Sequence, residues 1–287
     1  MAEISTTLTD QYLAENRYSA NTERNYRRIL ELLLAQVETD SLDVIGFRRW
    51  LDSHGWSSSS KWAAWCAVVG FLRWRHGPGH PALKLKIRRD PSPPQKAYRL
   101  PEVQRLLSSF DTSVVKGRRD LALCGVLLDA GLRASEVCRL SLRYVDLGRR
   151  TFQVVVKGGQ WEAGAFSEYT ATWVSAWLLD RAGVAVSGVD ALFVSLGGKT
   201  PGQPMTPGGL AAEVKGWGQA SGIGHLSPHM LRRSMASVAS GDMGAPDDVA
   251  MKGGRWKSVS AFRRYTVGVK PSDMEKYFPT RAAMESV

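Results

Sequence analysis

Apolar side chains recur at helical spacing through residues 1–90, a pattern that predicts four helices separated by short polar breaks. Ser19 precedes the second helix and the run Ser57–Ser60 precedes the fourth, and serine is a favoured N-cap residue. The third helix is expected to end near Gly55. In chain order, the apolar positions of the four helices are Leu8, Tyr12 and Leu13; Tyr26, Ile29, Leu30 and Leu33; Val44, Phe47 and Leu51; and Trp62, Trp65, Val69 and Leu72.

A second, larger region follows, in which the hydrophobic period changes from helix to strand and back. Pro101 suits a helix start, and an apolar helix is predicted at residues 120–130. Helices resume near Thr170 and dominate to the C-terminus. Between them, the predicted strands and turns are 144–147, a turn at 148–150, 151–156, the glycine pair 158–159 and the extended run after it. The fold class expected is mainly α, with a small antiparallel β-sheet in the second domain.

A proline-rich, basic stretch separates the two regions. Residues 77–97 contain five of the 13 prolines, which rules out a continuous helix there. From Arg73 to Arg99, eight basic residues accompany one acid, Asp90, a balance that favours an extended segment along phosphates; a solvated linker is the alternative. The predicted division is a helical domain at 1–76, a basic linker at 77–99, a second domain at 100–270 and a tail at 271–287.

Composition adds a polyanion as the expected partner. In 287 residues, 44% are hydrophobic and 23% charged, which excludes disordered and collagen-like classes. The 38 Lys and Arg residues exceed the 27 Asp and Glu residues and give a net charge of +11. Nucleic acid is therefore expected ahead of an acidic membrane surface, although charge alone does not choose between them.

Other features of the chain bear on its cellular compartment. The three cysteines are odd in number and lack metal-ligand spacing, so they are expected to be core residues in a reducing compartment. The longest apolar run, Trp62–Leu72, is too short to cross a bilayer. The N-terminus has no basic segment followed by an apolar one. We expect a cytoplasmic protein with no membrane partner.

Two segments place a basic side chain at a break in the pattern. In Gly131–Val137, Arg133 lies between two apolar helices and Glu136 starts the second. A buried arginine needs an anionic partner, so either a bound anion or a structural Arg133–Glu136 pair is expected. Lys157 ends a strand just before a glycine turn, where it could deliver a proton or only aid solubility.

A third segment predicts a phosphate site at a helix start. Ser227 is a suitable N-cap and Pro228 a suitable first helical residue. This start puts His229 in the first turn and Arg232 three residues on, along the same face. An imidazole and a guanidinium that converge at a helix N-terminus favour a phosphate.

The fourth segment, residues 249–272, has six basic residues and no acid, and it contains Tyr265. Nearby cations favour the phenolate, which is the form of tyrosine that attacks phosphorus. The alternative is a core tyrosine that follows the amphipathic turn of Val259 and Phe262.

Taken together and in order, these segments resemble the tyrosine recombinases, or phage integrase family. The matching features are Gly-Leu-Arg-x-Ser-Glu around Arg133, Lys157 at a β-hairpin, His-x-Leu-Arg at residues 229–232, and Tyr265 nine residues after Trp256. The basic helical domain and the linker extend the resemblance to nearly the whole chain. It implies a SAM-like four-helix core-binding domain followed by a mixed α/β catalytic domain.

The resemblance also implies a role for each matching residue. Arg133 and Arg232 would bind the scissile phosphate, Tyr265 would form a 3′-phosphotyrosine, Lys157 would protonate the 5′-hydroxyl, His229 would assist proton movement and phosphate binding, Trp256 would hold the phosphate, and Glu136 would orient the array. Because the covalent intermediate conserves the phosphodiester energy, no cofactor and no metal is implied.

The implied partner is double-stranded DNA with core-type recombination sites, clamped between the two domains. The family's reaction implies a homotetramer that exchanges strands through a Holliday junction, and a directionality factor is a further candidate partner. The tail, Pro271–Val287, is expected to dock on a neighbouring protomer or on its own domain. The residues predicted to contact DNA, unless they only form solvated helix faces, are Arg24, Arg27, Arg28, Lys61, Arg73, Arg75, Lys84, Lys86, Arg88, Arg89, Lys96 and Arg99.

Three features depart from the family's pattern. Gly254-Arg255-Trp256 stands where many members have Gly-His, and Gln160 stands where a second basic residue often follows the glycine pair. The first helical unit also begins close to Met1, so the arm-type DNA-binding domain of many phage integrases is expected to be missing.

Integration and excision of phage DNA is the main functional prediction. Xer-type resolution of chromosome or plasmid dimers, a type IB topoisomerase and a non-catalytic DNA-binding regulator are the alternatives.

Overall fold

The computed structural model describes residues 2–90, 96–156 and 158–266. It divides into two compact units, residues 1–93 and 94–287. None of the helices in the described ranges combines the length and apolar character that a bilayer span requires.

The first unit contains the four predicted helices, three of which begin at a side-chain cap. Ser19 Oγ accepts from the Thr22 amide at 3.4 Å. Asp43 and Ser57 cap the third and fourth helices in the same way. These caps satisfy amides that have no partner inside the helix. The helices are α1 (Ala2–Asn16), α2 (Ala20–Gln36), α3 (Val44–Ser53) and α4 (Ser58–His76).

The core of the first unit is built mainly from α2, α3 and α4, and α4 differs in part from its predicted face. Of its four predicted apolar positions, only Leu72 is buried. Its other core residues are Ala64, Ala67, Val68 and Phe71. Because α4 is apolar on most sides, the pattern does not define one face. Trp65 lies at the border, where its indole N–H donates to the Leu85 carbonyl at 3.0 Å.

Part of the predicted linker packs within the first unit. A 3₁₀ turn, Pro81–Lys84, follows α4, and Ala82 and Leu85 are buried in the same core as α4. The Asp90 amide donates to Ser58 Oγ at 2.9 Å, so the chain stays beside the start of α4. Prolines 91, 93 and 94 of the predicted linker lie outside the described residues.

In its described residues, the second unit is helical with one small sheet, and the predicted fold class is confirmed. The sheet has the order β1-β2-β3 and is antiparallel, with Phe152 of β2 opposite Val145 and Gly164. The elements are α5 (Leu100–Ser108), α6 (Val115–Ala130), α7 (Ala134–Val137), β1 (Val145–Asp146), β2 (Thr151–Val155), β3 (Trp161–Ala165), α8 (Glu168–Val184), α9 (Pro207–Ala220), α10 (Pro228–Ser237), α11 (Asp247–Gly253) and α12 (Val259–Thr266).

Helix α6 forms the centre of the second unit. Most of its residues from Gly117 to Ala130 are buried, and it packs against α8 and α10. Near its start, the fully buried Arg119 donates to Asp120 Oδ1 at 2.8 Å and to Glu213 Oε1 at 2.9 Å. Lys116 and the Trp217 indole donate to the other oxygen of Asp120. This network supplies the partners that buried charges require.

Candidate active site

The predicted Arg133 segment begins where α6 ends. Gly131 terminates α6 in the left-handed region with φ of 54°, a conformation that glycine adopts at little cost. Arg133 is the N-cap of α7, and its backbone N–H donates to Glu136 Oε2 at 2.9 Å. The guanidinium of Arg133 donates to Glu136 Oε1 at 2.6 Å. The predicted Arg133–Glu136 pair is therefore present. The side chain of Arg133 is still 52% exposed, so it can also reach a bound anion.

Glu136 is the buried anion of this site, with 1% of its surface exposed. Burial alone raises the pKa of its carboxyl group. The hydrogen bonds from Arg133 and the charges of Arg133 and Arg255 outweigh burial, so the pKa of Glu136 lies below its ordinary value. Glu136 is consequently an ionised acceptor at neutral pH.

Helix α10 carries His229 and Arg232, as predicted from the capping sequence. Ser227 Oγ accepts from the Met230 amide at 3.3 Å, and Pro228 is the first helical residue. Arg232 is 3% exposed, and its Nη1 donates to the carbonyl of Gly131. The fold thus brings α10 against the C-terminal end of α6.

His229 is exposed on α10 and lies in a strongly cationic neighbourhood. The protein atoms around its ring, and then the guanidinium groups of Arg233, Arg232 and Arg133, lower the pKa of His229. The imidazole is therefore neutral at neutral pH in the free protein.

Trp256 reaches the same place from the segment between α11 and α12. Its ring lies 4.2 Å from the guanidinium carbon of Arg232 and 5.4 Å from the ring of Phe262, centroid to centroid. A Cβ atom on Gly254 would lie 1.6 Å from the indole, so only glycine allows this approach. Arg255 lies between Gly254 and Trp256 in the chain and has φ of 55°. This left-handed backbone conformation costs a non-glycine residue about 1 kcal/mol.

These side chains line one cleft of about 550 Å³ in the second unit. Ala261 of α12 also lines it, and position 265 follows Ala261 by one helical turn. Lys157 and the Tyr265 side chain lie outside the described residues, although Val156 and Gly158 both line the cleft. The lining residues are Arg133, Val156, Gly158, Glu162, His229, Arg232, Arg255, Trp256, Lys257, Ser258 and Ala261.

Two residues of this site were not expected from the sequence. Arg255 was a departure from the family's pattern, yet its side chain is 7% exposed and donates to Glu136 Oε2 at 3.2 Å. Burial lowers the pKa of Arg255, and the charge of Glu136 partly offsets that effect. Glu162 of β3 is the second such residue, and its Oε1 lies 3.0 Å from Lys257 Nζ. The only sign of Glu162 in the sequence is that it is an acidic residue on a short strand that follows the glycine turn.

Several of the basic residues predicted to contact DNA have protein partners. Arg27 pairs with Asp10 and Glu23, and Lys61 pairs with Asp52. Arg99 pairs with Asp242, whose other oxygen accepts from the Leu100 amide. Lys96 Nζ lies 4.9 Å from the ring centroid of Tyr98, and Arg89 donates to Ser59. The exposed members are Arg24, Arg28, Arg73, Arg75, Lys84, Lys86, Arg88, Arg89 and Lys96.

The arrangement suits a phosphodiester. Arg133, Arg232 and His229 supply N–H donors around a cleft that Trp256 borders with an apolar face. Such donors stabilise charge on the non-bridging oxygens of a phosphate. Among the described residues, no group of three His, Cys, Asp or Glu side chains could hold a metal ion.

Comparison with known proteins places the chain among recombinases. A model of the phage integrase family matches residues 98–269. The chain is 31% identical over 255 residues to tyrosine recombinase XerC of Pseudomonas aeruginosa (strain LESB58), with 82% of each protein covered. It is 29% identical over 246 residues to tyrosine recombinase XerD of Neisseria meningitidis serogroup B, with 78% of this chain and 79% of that protein covered.

Solved structures share the fold. The XerH site-specific recombinase bound to a palindromic difH substrate matches 89% of this chain and 78% of its own, with a TM-score of 0.73 and 17% identity. The Tn1549 transposon integrase in complex with transposon right end DNA matches 95% of this chain and 98% of its own, with a TM-score of 0.73 and 14% identity. On the family model and the XerC likeness, the chain belongs to the phage integrase family and is a site-specific tyrosine recombinase, an enzyme that cleaves and rejoins DNA strands.

Proposed function

We propose that Tyr265 is the nucleophile of this recombinase and that Arg133 and Arg232 hold the scissile phosphate. The observation that carries the proposal is the convergence of Arg133, His229, Arg232 and Trp256 on one cleft that α12 also lines. The tyrosine oxygen attacks phosphorus, the bond from phosphorus to the 5′-oxygen breaks, and a 3′-phosphotyrosine remains.

Proton transfer completes the step. Lys157 gives a proton to the departing 5′-oxygen, and the phenolic proton of Tyr265 leaves as the bond to phosphorus forms. His229 accepts that proton in its neutral form, which burial and then the surrounding arginines favour because they lower its pKa. Rejoining reverses these transfers when a 5′-hydroxyl from the partner strand attacks the phosphotyrosine.

The two arginines act on the charge of the phosphate. Arg232 is fixed by the Gly131 carbonyl and by the face of Trp256, so its guanidinium is oriented before DNA binds. Donors that are oriented in advance are worth roughly 10²- to 10³-fold in rate each. Glu136 orients Arg133 through a hydrogen bond of 2.6 Å.

A suicide substrate tests the chemistry. We expect a covalent protein–DNA adduct with a nicked duplex that carries the core site, and no adduct with Tyr265→Phe. Tyr144→Phe is the matched control, because Tyr144 lies outside the cleft, and it should form the adduct at the wild-type rate. An adduct that persists in Tyr265→Phe would reject Tyr265 as the nucleophile.

The proposed substrate is duplex DNA with core-type sites, bound by both units. Exposed basic side chains on α2, α4 and residues 84–89 supply the charge on the first unit. The XerH and Tn1549 structures hold DNA substrates of related proteins, which supports the same class of partner here. A type IB topoisomerase would relax any plasmid, whereas this chain should recombine only plasmids with two defined sites.

Integration and excision of phage DNA is the proposed role, and the likeness to XerC and XerD favours dimer resolution as the second candidate. A plasmid reporter separates them. Efficient joining of two unlike sites on separate molecules supports integration. Excision confined to identical direct repeats on one molecule supports dimer resolution.

We further propose that the enzyme acts as a tetramer joined by its C-terminal tails. An apolar groove of about 640 Å³ runs between α5, α6, α8 and α10, and its lining includes Val103, Leu107, Leu128, Trp173 and Met235. The tail, which lies outside the described residues, offers apolar partners at Met274, Tyr277, Phe278 and Met284.

A truncated chain tests the tail. A chain that ends at Lys270 should still bind one core site but should not form tetramers on paired sites in sedimentation experiments. Tetramers of the truncated chain would contradict docking between protomers and favour packing of the tail on its own domain.

A further inference from the structure

The guanidinium of Arg255 lies where three elements of the second unit meet. Its Nη1 donates to the carbonyl of Ala130 at 3.0 Å, at the end of α6. Its Nη2 donates to Glu136 of α7 at 3.2 Å, and its Nε lies 3.4 Å from Glu162 Oε2 of β3. With 7% of its side chain exposed, Arg255 has little surface to offer a substrate.

Through Glu136, Arg255 acts on Arg133. One oxygen of the Glu136 carboxylate accepts from the Arg133 guanidinium. The other accepts from the Arg133 backbone and from Arg255. Hydrogen bonds to both oxygens restrain the carboxylate, and this restraint limits the directions that the Arg133 guanidinium can take.

Through its backbone, Arg255 acts on Arg232. The left-handed φ of 55° lets the Trp256 amide donate to the Met251 carbonyl at 2.8 Å. That turn places the indole 4.2 Å from the Arg232 guanidinium. Arg232 donates to the carbonyl of Gly131, the residue next to Ala130, so adjacent carbonyls at the end of α6 accept from Arg232 and Arg255.

We propose that Arg255 is a positioning residue for DNA cleavage, which orients Arg133 through Glu136 and Arg232 through Trp256 and the end of α6. This inference rests on the proposed role of the two arginines at the scissile phosphate. It predicts that loss of Arg255 slows the chemical step and leaves DNA affinity unchanged, because its guanidinium is nearly buried and is held by protein partners.

Two substitutions separate this role from a purely structural one. Arg255→Gly removes the guanidinium and suits the left-handed backbone, so the turn itself is retained. Arg255→Lys keeps the charge but replaces two separate donor nitrogens, which reach Ala130 and Glu136 in one plane, with a single nitrogen. Arg143→Gln is the control, since Arg143 is 67% exposed and pairs with Asp190 away from the cleft.

The readouts are the single-turnover rate of covalent adduct formation, the DNA dissociation constant and the melting temperature. We expect Arg255→Gly and Arg255→Lys to lower the rate by about 100-fold, the loss that a displacement of about 1 Å can cause. Arg143→Gln should match the wild type. Added guanidinium chloride at low millimolar concentration should restore the rate of Arg255→Gly, whereas sodium chloride at the same concentration should not.

The outcomes distinguish this inference from the proposed function. If the wild type forms no adduct, the proposed function fails. If the wild type and the Arg255 variants form it at equal rates, only the positioning role is overturned. The positioning role is also overturned if added guanidinium does not restore the rate of adduct formation and the rate falls in proportion to the fraction of folded protein.

Discussion

At the scale of single residues, the two arginines of the cleft differ in how firmly they are held. Arg232 is 3% exposed and is fixed by the Gly131 carbonyl and the Trp256 ring, whereas the Arg133 side chain is 52% exposed. A buried donor loses less freedom when the substrate binds. Arg232 should therefore be less tolerant of a conservative change than Arg133.

Arg232→Lys tests this difference. A lysine lacks the planar group that donates to the Gly131 carbonyl and to a phosphate in fixed directions, so we expect the single-turnover cleavage rate to fall by roughly 10²- to 10³-fold. Arg139→Lys is the control, because Arg139 is exposed and lies outside the cleft. A rate within the error of the wild type for Arg232→Lys would contradict the role of the planar group.

Glu136 predicts a pH-dependent contribution to stability. Its pKa is lowered in the folded chain, so the ionised carboxylate stabilises the fold above the unfolded-chain pKa of about 4.3. That contribution is lost as the pH falls through the folded-state pKa. Glu136→Gln should lower the free energy of unfolding by about 3 kcal/mol at pH 7, since it leaves Arg255 without its buried anion.

Urea denaturation at several pH values measures this effect. The difference between wild type and Glu136→Gln should be constant above about pH 5 and should shrink at lower pH. An equal difference at acid and neutral pH would show that the lost contacts, rather than the charge of Glu136, account for it.

The spacing of motifs along the chain predicts five residues of the candidate site that the structure brings together. They are Arg133, Glu136, His229, Arg232 and Trp256. Motifs of this kind are local, because each lies on one helix start or one turn. Arg255 and Glu162 were missed because their contacts join α6, α7, β3 and the α11–α12 segment. No local pattern reports such a convergence.

At the scale of elements, the chemistry of helix ends was more predictable than helix faces. Ser19, Ser57 and Ser227 cap the helices that were expected to follow them. The buried face of α4 could not be predicted, because apolar residues surround that helix and only the packing partner selects a side. Strand β1 is also shorter than expected, because residues 142–144 form a 3₁₀ turn.

The buried ion pair of helix α6 predicts a large contribution to the stability of the second unit. Asp120→Asn removes the charge that the fully buried Arg119 faces at 2.8 Å. Loss of one member of a buried ion pair costs about 3 to 5 kcal/mol. Urea denaturation should show that loss for the second unit, whereas Arg143→Gln, which breaks an exposed pair, should cost less than about 1 kcal/mol.

At the scale of the whole molecule, the net charge of +11 is concentrated in two stretches of the sequence. Residues 73–99 carry eight basic residues and one acid, and residues 249–272 carry six basic residues and no acid. The rest of the chain is slightly acidic. In the first stretch, Arg73, Arg75, Lys84, Lys86 and Arg88 are exposed.

DNA affinity should therefore depend steeply on salt. If about six phosphates are neutralised, the dissociation constant should rise by roughly 10³-fold between about 50 and 200 mM salt. Replacing Lys84 or Lys86 with Gln should reduce the slope of log affinity against log salt by about 1 each. Fluorescence anisotropy titrations measure these slopes, and an affinity that does not change with salt would contradict binding along the phosphates.

Helix α6 links the stability of the second unit to the geometry of its cleft. Its 16 residues span about 24 Å, with the Arg119 network near one end and the carbonyls that hold Arg232 and Arg255 at the other. Heating that loosens this helix would release both arginines at once, although no residue of α6 itself lines the cleft. Thermal inactivation should thus coincide with unfolding of the second unit, and substitutions deep in α6 should behave as temperature-sensitive alleles of strand cleavage.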